Sequence, residues 1–335
     1  MVQTQAIVFT HQQQVALADI SIPDPGPGEV LVTTAFSCIS PGTELRCLAG
    51  AQPDAQPFPF IPGYSLAGVV AARGADVDLP IGTRVFATGT IAADLPRMWG
   101  GHVRHALCRA ADVVELPPAV GLRAASSGHL AAIAYHGLRL ARPQPHERVA
   151  VVGLGAIGQL AARLFAATGA HVAAADLALA RVERAQQAGI TAFAPAAGDL
   201  VAGFRPYFPA GADVIVDATG APQVLPQLIA LAKDLPWDDA LHAGTRYVVQ
   251  GSYPGDFAIP YQPAFRKELT FLLPRDMQPR DVRAVFDLLA RGRLAVDDLI
   301  EPVHPAAAPA VYAALRNAQP ELITAAFDWA GGAAP

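Results

Sequence analysis

Residues 148–164, RVAVVGLGAIGQLAARL, set Gly153, Gly155 and Gly158 between an apolar strand and an amphipathic helix. Each glycine has its own reason in such a turn. Gly153 permits the tight reversal, Gly155 lets the backbone approach a pyrophosphate, and Gly158 lets the helix pack closely on the strand. The helix opens at Ala156 and Ile157, whose N–H groups face the phosphates with the positive end of the helix dipole behind them. A glycine turn alone is a weak signal, but the next strand, HVAAADL, ends in Asp176, about 20 residues further on, where a carboxylate accepts hydrogen bonds from the adenosine ribose. That charge repels a 2′-phosphate, so NAD is the expected cofactor, with NADP disfavoured.

Working outward, strands and helices continue to alternate after the turn: LARVERAQQAG, TAFAP, ADVIVDATG, VLPQLIALAKDL and TRYVVQGSY. This alternation is the signature of a parallel sheet covered by helices on both faces. Two strand ends in it, DATGAP with Thr219 and Gly220 and QGSY with Gly251 and Ser252, fall where an open parallel sheet places loops over its ligand. Upstream the texture differs. QAIVF, QVALADI, EVLVTTAFSCI, LAGVVAA, TRVFATG, HVRHALC and DVVELP read as short strands separated by turns, the pattern of a small irregular β-barrel. LRAASSGHLAAIAYHGLRLA is helical and joins the two textures. At the far end come a strand in KELTFLL, two amphipathic helices in RDVRAVFDLLARGRL and AAAPAVYAALRNA, and a returning strand in AAFDWA. The fold class is therefore α/β, with a β-barrel domain at 1–121 completed by 275–335 and a doubly wound, Rossmann-type domain at 122–274.

The 335 residues suit two domains, and a composition 52% hydrophobic and 16% charged suits a compact globular protein. A net charge of -5 argues against a nucleic-acid partner, which calls for a basic face. No apolar run reaches the length of a membrane span, and the first residues lack a charged segment followed by an apolar one, so a cytoplasmic protein is expected. Cys38, Cys47 and Cys108 are odd in number and outside any CxxC pair, which suggests buried reduced thiols.

This order of parts resembles the medium-chain dehydrogenase/reductase superfamily, with a GroES-like barrel, a Rossmann domain and a return to the barrel. QTQAIVF, PGPGEVLV, SCISPGTEL, PFIPGYSLAGVV and PAFRKELTF look like the bacteriochlorophyllide hydroxyethyl dehydrogenase subgroup within it. The resemblance implies hydride transfer between nicotinamide and a small secondary alcohol or ketone, and a homodimer joined at the exposed sheet edge near KELTFLL. It also implies a zinc site from which this chain departs. Where zinc alcohol dehydrogenases carry a cysteine, the chain has Ser40 or Pro41, with Cys38 short of the position. Where they carry Gly-His-Glu it has Gly63-Tyr64-Ser65, and the third ligand position offers His129. The four-cysteine lobe is absent as well. Catalytic zinc needs three protein ligands, so no zinc is expected, the remaining possibility being a non-standard site of Cys38, Glu44 or His129.

Without zinc, side chains must take the hydroxyl proton and stabilise the oxygen as hydride leaves. The expected set is Tyr64 or His129 for the proton, Thr43 or Ser40 for the oxygen, and Glu44 to orient the loop. A turn-capping role for Ser40 and Thr43, and a structural pairing of Glu44 with an arginine, stand beside these. His102, His105, His136 and His304 are weaker candidates. The substrate pocket is expected from loops around 40–60, 88–102 and 270–280. Two other readings share the architecture, a zinc-free enoyl or quinone reductase and a nucleotide-binding protein without turnover.

Overall fold

The structure is a computed structural model that describes residues 1–53, 56–253 and 255–331. Residues 54 and 55 of the expected substrate loop, and 332–335 of the expected C-terminal segment, lie outside the described residues. The chain divides into two compact units, one built from Met1–Leu130 and the segment from Val282 onward, the other from Ala131–Asp281.

The first unit contains β1 (Val2–His11), β2 (Gln14–Ile22), β3 (Glu29–Cys38), α1 (Pro41–Leu48), β4 (Leu66–Arg73), β5 (Arg84–Ala87), β6 (His105–Arg109), β7 (Val114–Glu115), α2 (Leu122–Ser126) and the start of α3 (Gly128–Ala141). β3 is its organising strand. It pairs antiparallel with β4 along one edge. Its other edge is shared, Glu29–Thr33 with β6 and Phe36–Cys38 with a strand from the far end of the chain. Two register shifts between β3 and β4 bend the strand, as β-bulges do. HVRHALC is strand only from His105. Before it, Trp99 and Gly100 both take left-handed backbone conformations, and the chain pairs with β1 only in an isolated antiparallel bridge, Val103 with Ala6. α2 packs on β3 and β4, so the unit extends past the expected joint at 121 into α3.

In the second unit, β8 (Arg148–Val152), α4 (Ala156–Ala167), β9 (His171–Ala175), α5 (Leu179–Gln187), β10 (Thr191–Phe193), α6 (Leu200–Phe204), β11 (Val214–Asp217), α7 (Leu225–Ala230), β12 (Arg246–Val249), α8 (Tyr261–Arg266) and β13 (Thr270–Leu272) alternate as expected. All neighbouring strands are parallel, in the order β10-β9-β8-β11-β12-β13. The central strands are buried almost end to end, with Val149–Val152 and Val214–Asp217 carrying little or no exposed surface. Continuous apolar strands of this kind belong to sheets covered on both faces. The strand in KELTFLL is the sixth strand of this sheet and lies at its edge.

The chain then runs through α9 (Pro279–Ala290), β14 (Ile300–Val303), α10 (Ala308–Arg316) and β15 (Thr324–Asp328). β15 is the strand that completes β3, and β14 pairs parallel with β15 at the outside of the seven-stranded sheet. β14 was not expected, because Glu301 and Pro302 interrupt its apolar pattern. Proline is admitted there because an edge strand can spare a ladder donor. α10 packs its Val311, Tyr312 and Leu315 with Phe9, Ile39, Phe60, Phe327 and Trp329 in a core of the first unit. Among the described residues, no helix is long and apolar enough to cross a membrane.

Candidate active site

In the second unit the turn between β8 and α4 shows a separate constraint at each glycine. Gly153 has φ 88°, a left-handed backbone that side chains disfavour. A β-carbon on Gly158 would lie 1.7 Å from the Gly153 carbonyl oxygen, whereas one on Gly155 would meet nothing within 4 Å. The space over Gly155 and the uncapped start of α4 together form an open backbone cradle. Asp176 closes the turn from below. One carboxylate oxygen accepts the Leu154 N–H at 2.6 Å and the other the Ala178 N–H at 2.8 Å, with Arg181 Nη1 at 3.7 Å. Each oxygen keeps a second lone pair for another donor.

The two later loops meet each other. A β-carbon on Gly251 would lie 2.5 Å from the Gly220 nitrogen, and one on Gly220 would lie 2.7 Å from the Ser252 carbonyl oxygen. Both glycines are thus demanded by close backbone approach. Sequence reasoning missed the residue that joins these loops, Asp217 at the end of β11. Its carboxylate accepts the Thr219 N–H and hydroxyl at 3.0 and 2.7 Å on one oxygen, and the Tyr247 and Tyr253 hydroxyls on the other. Its carbonyl accepts the Gln250 and Gly251 N–H groups. Burial and the adjacent carboxylate hold both phenols above their ordinary range.

In the first unit, Ser40, Tyr64 and His129 come together from three distant parts of the sequence. The Tyr64 hydroxyl donates to Ser40 Oγ, and the Tyr64 ring lies 4.6 Å, centroid to centroid, from the His129 imidazole. The indole of Trp99 stands edge-on to Tyr64 at 5.0 Å. All three expected residues are 6–7% exposed. Ser40 occupies the N-cap position of α1 but does not cap it, since its hydroxyl is engaged with Tyr64. Tyr64 follows Gly63, whose φ of 85° turns the loop. Ser65 fixes the other side, its hydroxyl donating to the Ser126 carbonyl at 2.5 Å and accepting the His129 N–H at 3.3 Å. Thr43 sits half-buried on α1, away from this pair of hydroxyls in the bonding pattern.

Among the described residues Glu44 has no arginine partner. It is fully buried, one carboxylate oxygen accepting the Ser40 N–H at 2.7 Å, as the acid of a capping box does, and the other meeting His102 Nε2 at 2.9 Å and the Tyr312 hydroxyl. Burial and the Glu44 charge raise the Tyr312 phenol well above its ordinary value. His102, the histidine of WGGHVRHA given little weight in the sequence, is therefore central to this network, while His105 bonds to Thr4 at 2.8 Å. His136 pairs with Asp281 at 2.9 Å, and His304 caps the short turn before α10.

The donor set does not suit zinc. A serine hydroxyl, a phenol and one imidazole occupy the three ligand positions, and Glu44 is committed elsewhere. Cys38 is buried against Thr324, its thiol pushed up by burial to about 12. Among the described residues, no group of three or more His, Cys, Asp or Glu side chains gathers to hold a metal ion.

A β-barrel unit bearing a polar cluster and a six-stranded parallel sheet with a glycine-rich strand-to-helix turn form the two-part architecture of the alcohol dehydrogenases, and similarity to known proteins makes the chain an oxidoreductase of that kind. Residues 26–118 match the alcohol dehydrogenase GroES-like domain, and residues 156–291 match the zinc-binding dehydrogenase family. The chain is 30% identical to the 2-desacetyl-2-hydroxyethyl bacteriochlorophyllide A dehydrogenase of Rhodobacter capsulatus, over 98% of each chain. It is 28% identical to the L-galactonate-5-dehydrogenase of Escherichia coli, over 85% of this chain and 86% of that one. Its fold matches an Escherichia coli alcohol dehydrogenase complexed with NADH at a TM-score of 0.84 and 20% identity, over 98% and 100% of the two chains. The chain belongs to the medium-chain dehydrogenase/reductase superfamily.

Proposed function

We propose that the protein is an NAD-dependent dehydrogenase or ketone reductase that interconverts a secondary alcohol and its ketone without zinc. The observation that supports this reading is the Tyr64–Ser40 hydroxyl pair beside His129, a cluster of proton-transferring and hydrogen-bonding groups at the positions that the family resemblance assigns to zinc ligands. NAD, when bound, supplies the hydride acceptor. Gly153, Gly155, Gly158 and the N–H groups of Ala156 and Ile157 would hold its pyrophosphate, Asp176 its ribose, and the loops of Thr219–Gly220 and Gly251–Ser252 would border it. In the first unit Tyr64 or His129 exchanges the hydroxyl proton. Thr43 or Ser40 holds the substrate oxygen, and Glu44 fixes Ser40 by its backbone.

The acidic end of β9 supports NAD over NADP, which also favours this reading over an enoyl or quinone reductase. The buried thiols agree with a reducing, cytoplasmic setting. The exposed edge of β13, flanked by exposed Leu273 and Phe265, supports a homodimer. The test combines titration with metal analysis. NADH should bind more tightly than NADPH, with Asp176→Ser narrowing the gap, and the purified protein should oxidise secondary alcohols while holding well below one zinc per chain. Equal affinities for the two nucleotides, or stoichiometric zinc required for turnover, overturns it.

A further inference from the structure

His102 lies outside the set of residues given a role above, yet it touches both α1, through Glu44, and the Gly63–Ser65 loop. Its ring is fully buried between two elements. On the α1 side, Nε2 meets the Glu44 carboxylate at 2.9 Å, and the other oxygen of that carboxylate accepts the Ser40 N–H. On the Tyr64 side, the ring is pressed against the loop, because a β-carbon on Gly63 would lie 2.5 Å from His102 Cδ2. The backbones interlock there as well, His102 N–H donating to the Pro62 carbonyl at 3.1 Å and Gly101 N–H to the Gly63 carbonyl at 2.7 Å.

Both ring nitrogens of the imidazole are engaged. Trp329 Nε1–H, a donor only, bonds to Ser37 Oγ at 2.9 Å. The Ser37 hydroxyl meets His102 Nδ1 at 2.9 Å, and on the opposite side the Glu44 carboxylate, which only accepts, faces Nε2. The ring orientation is thus set through Ser37 of β3 and Trp329, which follows β15, and the carboxylate receives donors from His102, Tyr312 and Ser40.

We propose that His102 is a positioning residue for the Ser40–Tyr64 hydroxyl pair, setting the spacing between the first turn of α1 and the Gly63–Ser65 loop through its bond to Glu44 and its contact with Gly63. It exchanges no proton with substrate. This rests on the reading of Ser40 and Tyr64 as catalytic groups.

The test compares His102→Asn, whose amide cannot reach Glu44, with His102→Gln, whose longer amide can place a donor there. His102→Asn should lower kcat for a secondary alcohol by about tenfold or more with the NADH dissociation constant unchanged, and His102→Gln should restore most of it. A second readout is independent of turnover. With ring-labelled tyrosine, the Tyr64 resonance, identified by its loss in Tyr64→Phe, should shift in His102→Asn and return in His102→Gln. Full activity and an unmoved resonance in His102→Asn overturn the proposal, as does an equal loss in both variants. If His102→Asn does not fold, Ser37→Ala frees the ring from its other side and should lower kcat and move the same resonance, and no change in either overturns the idea. A parent protein without alcohol turnover would defeat the proposed function, while the resonance comparison would still decide the role of His102.

Discussion

Ser40 stands where a helix wants a capping hydroxyl, yet its side chain bonds to Tyr64, and Glu44 takes up the Ser40 N–H. Tyr64→Phe keeps the ring packed on His129 and Trp99 while removing the donated hydrogen. Tyr64→Phe and His129→Ala should each lower turnover by about a hundredfold with NADH binding intact, as expected for loss of a general acid–base group, measured by steady-state rates and nucleotide titration. Full activity in both variants would remove the assignment. The partners of Glu44 were only partly legible in the sequence. Glu44, Cys47 and Leu48 share the buried face of α1, a spacing that marks a buried acid in need of a partner. Nothing local reveals that the partners are His102 and Tyr312, because the barrel and the returning C-terminal segment bring them there.

Elements were most legible where the information is local. Strand, glycine turn, helix and acidic strand end lie within one βαβ unit, and the structure supplies the steric reason for Gly153 and Gly158. The close approach of Gly220 and Gly251 was less visible, since the two loops follow neighbouring strands far apart in sequence. Gly251→Ala forces a β-carbon against the Gly220 backbone, and backbone there has little room to give. The variant should bind NADH about tenfold more weakly while far-ultraviolet circular dichroism stays that of the parent, a cost in the range of local strain. Unchanged affinity would show that the two loops take no part in binding. β14 escaped notice because an edge strand tolerates residues that a central strand excludes.

For the molecule as a whole, buried titratable groups limit the pH range of stability on both sides. His105 has its proton affinity lowered by burial and by Arg104, so the unfolded chain takes up a proton near pH 6.5 before the folded one does. Its contribution is full above that pH and is lost as pH falls below it. Cys38, Cys47 and Cys108 act in the opposite sense. Burial raises each thiol from 9.0 to about 12, so stability present below pH 9 is lost as the pH rises toward 12. Thermal unfolding followed by calorimetry should therefore show a plateau near neutrality with declines on both sides, and His105→Gln should flatten the acid one. A melting temperature still rising above pH 9 would contradict the thiol assignment. Assembly belongs to this scale too. A charge placed on the β13 edge, Leu273→Glu, should convert a dimer to a monomer in light scattering, and an unchanged mass would move the interface elsewhere.

The same cysteines have another consequence. All three lie in the first unit, at 0–3% exposure, and the Rossmann unit contains none. A thiol-reactive dye therefore labels the chain only when the barrel opens. Its labelling rate is a built-in clock for the local unfolding of one unit, readable while the other stays folded.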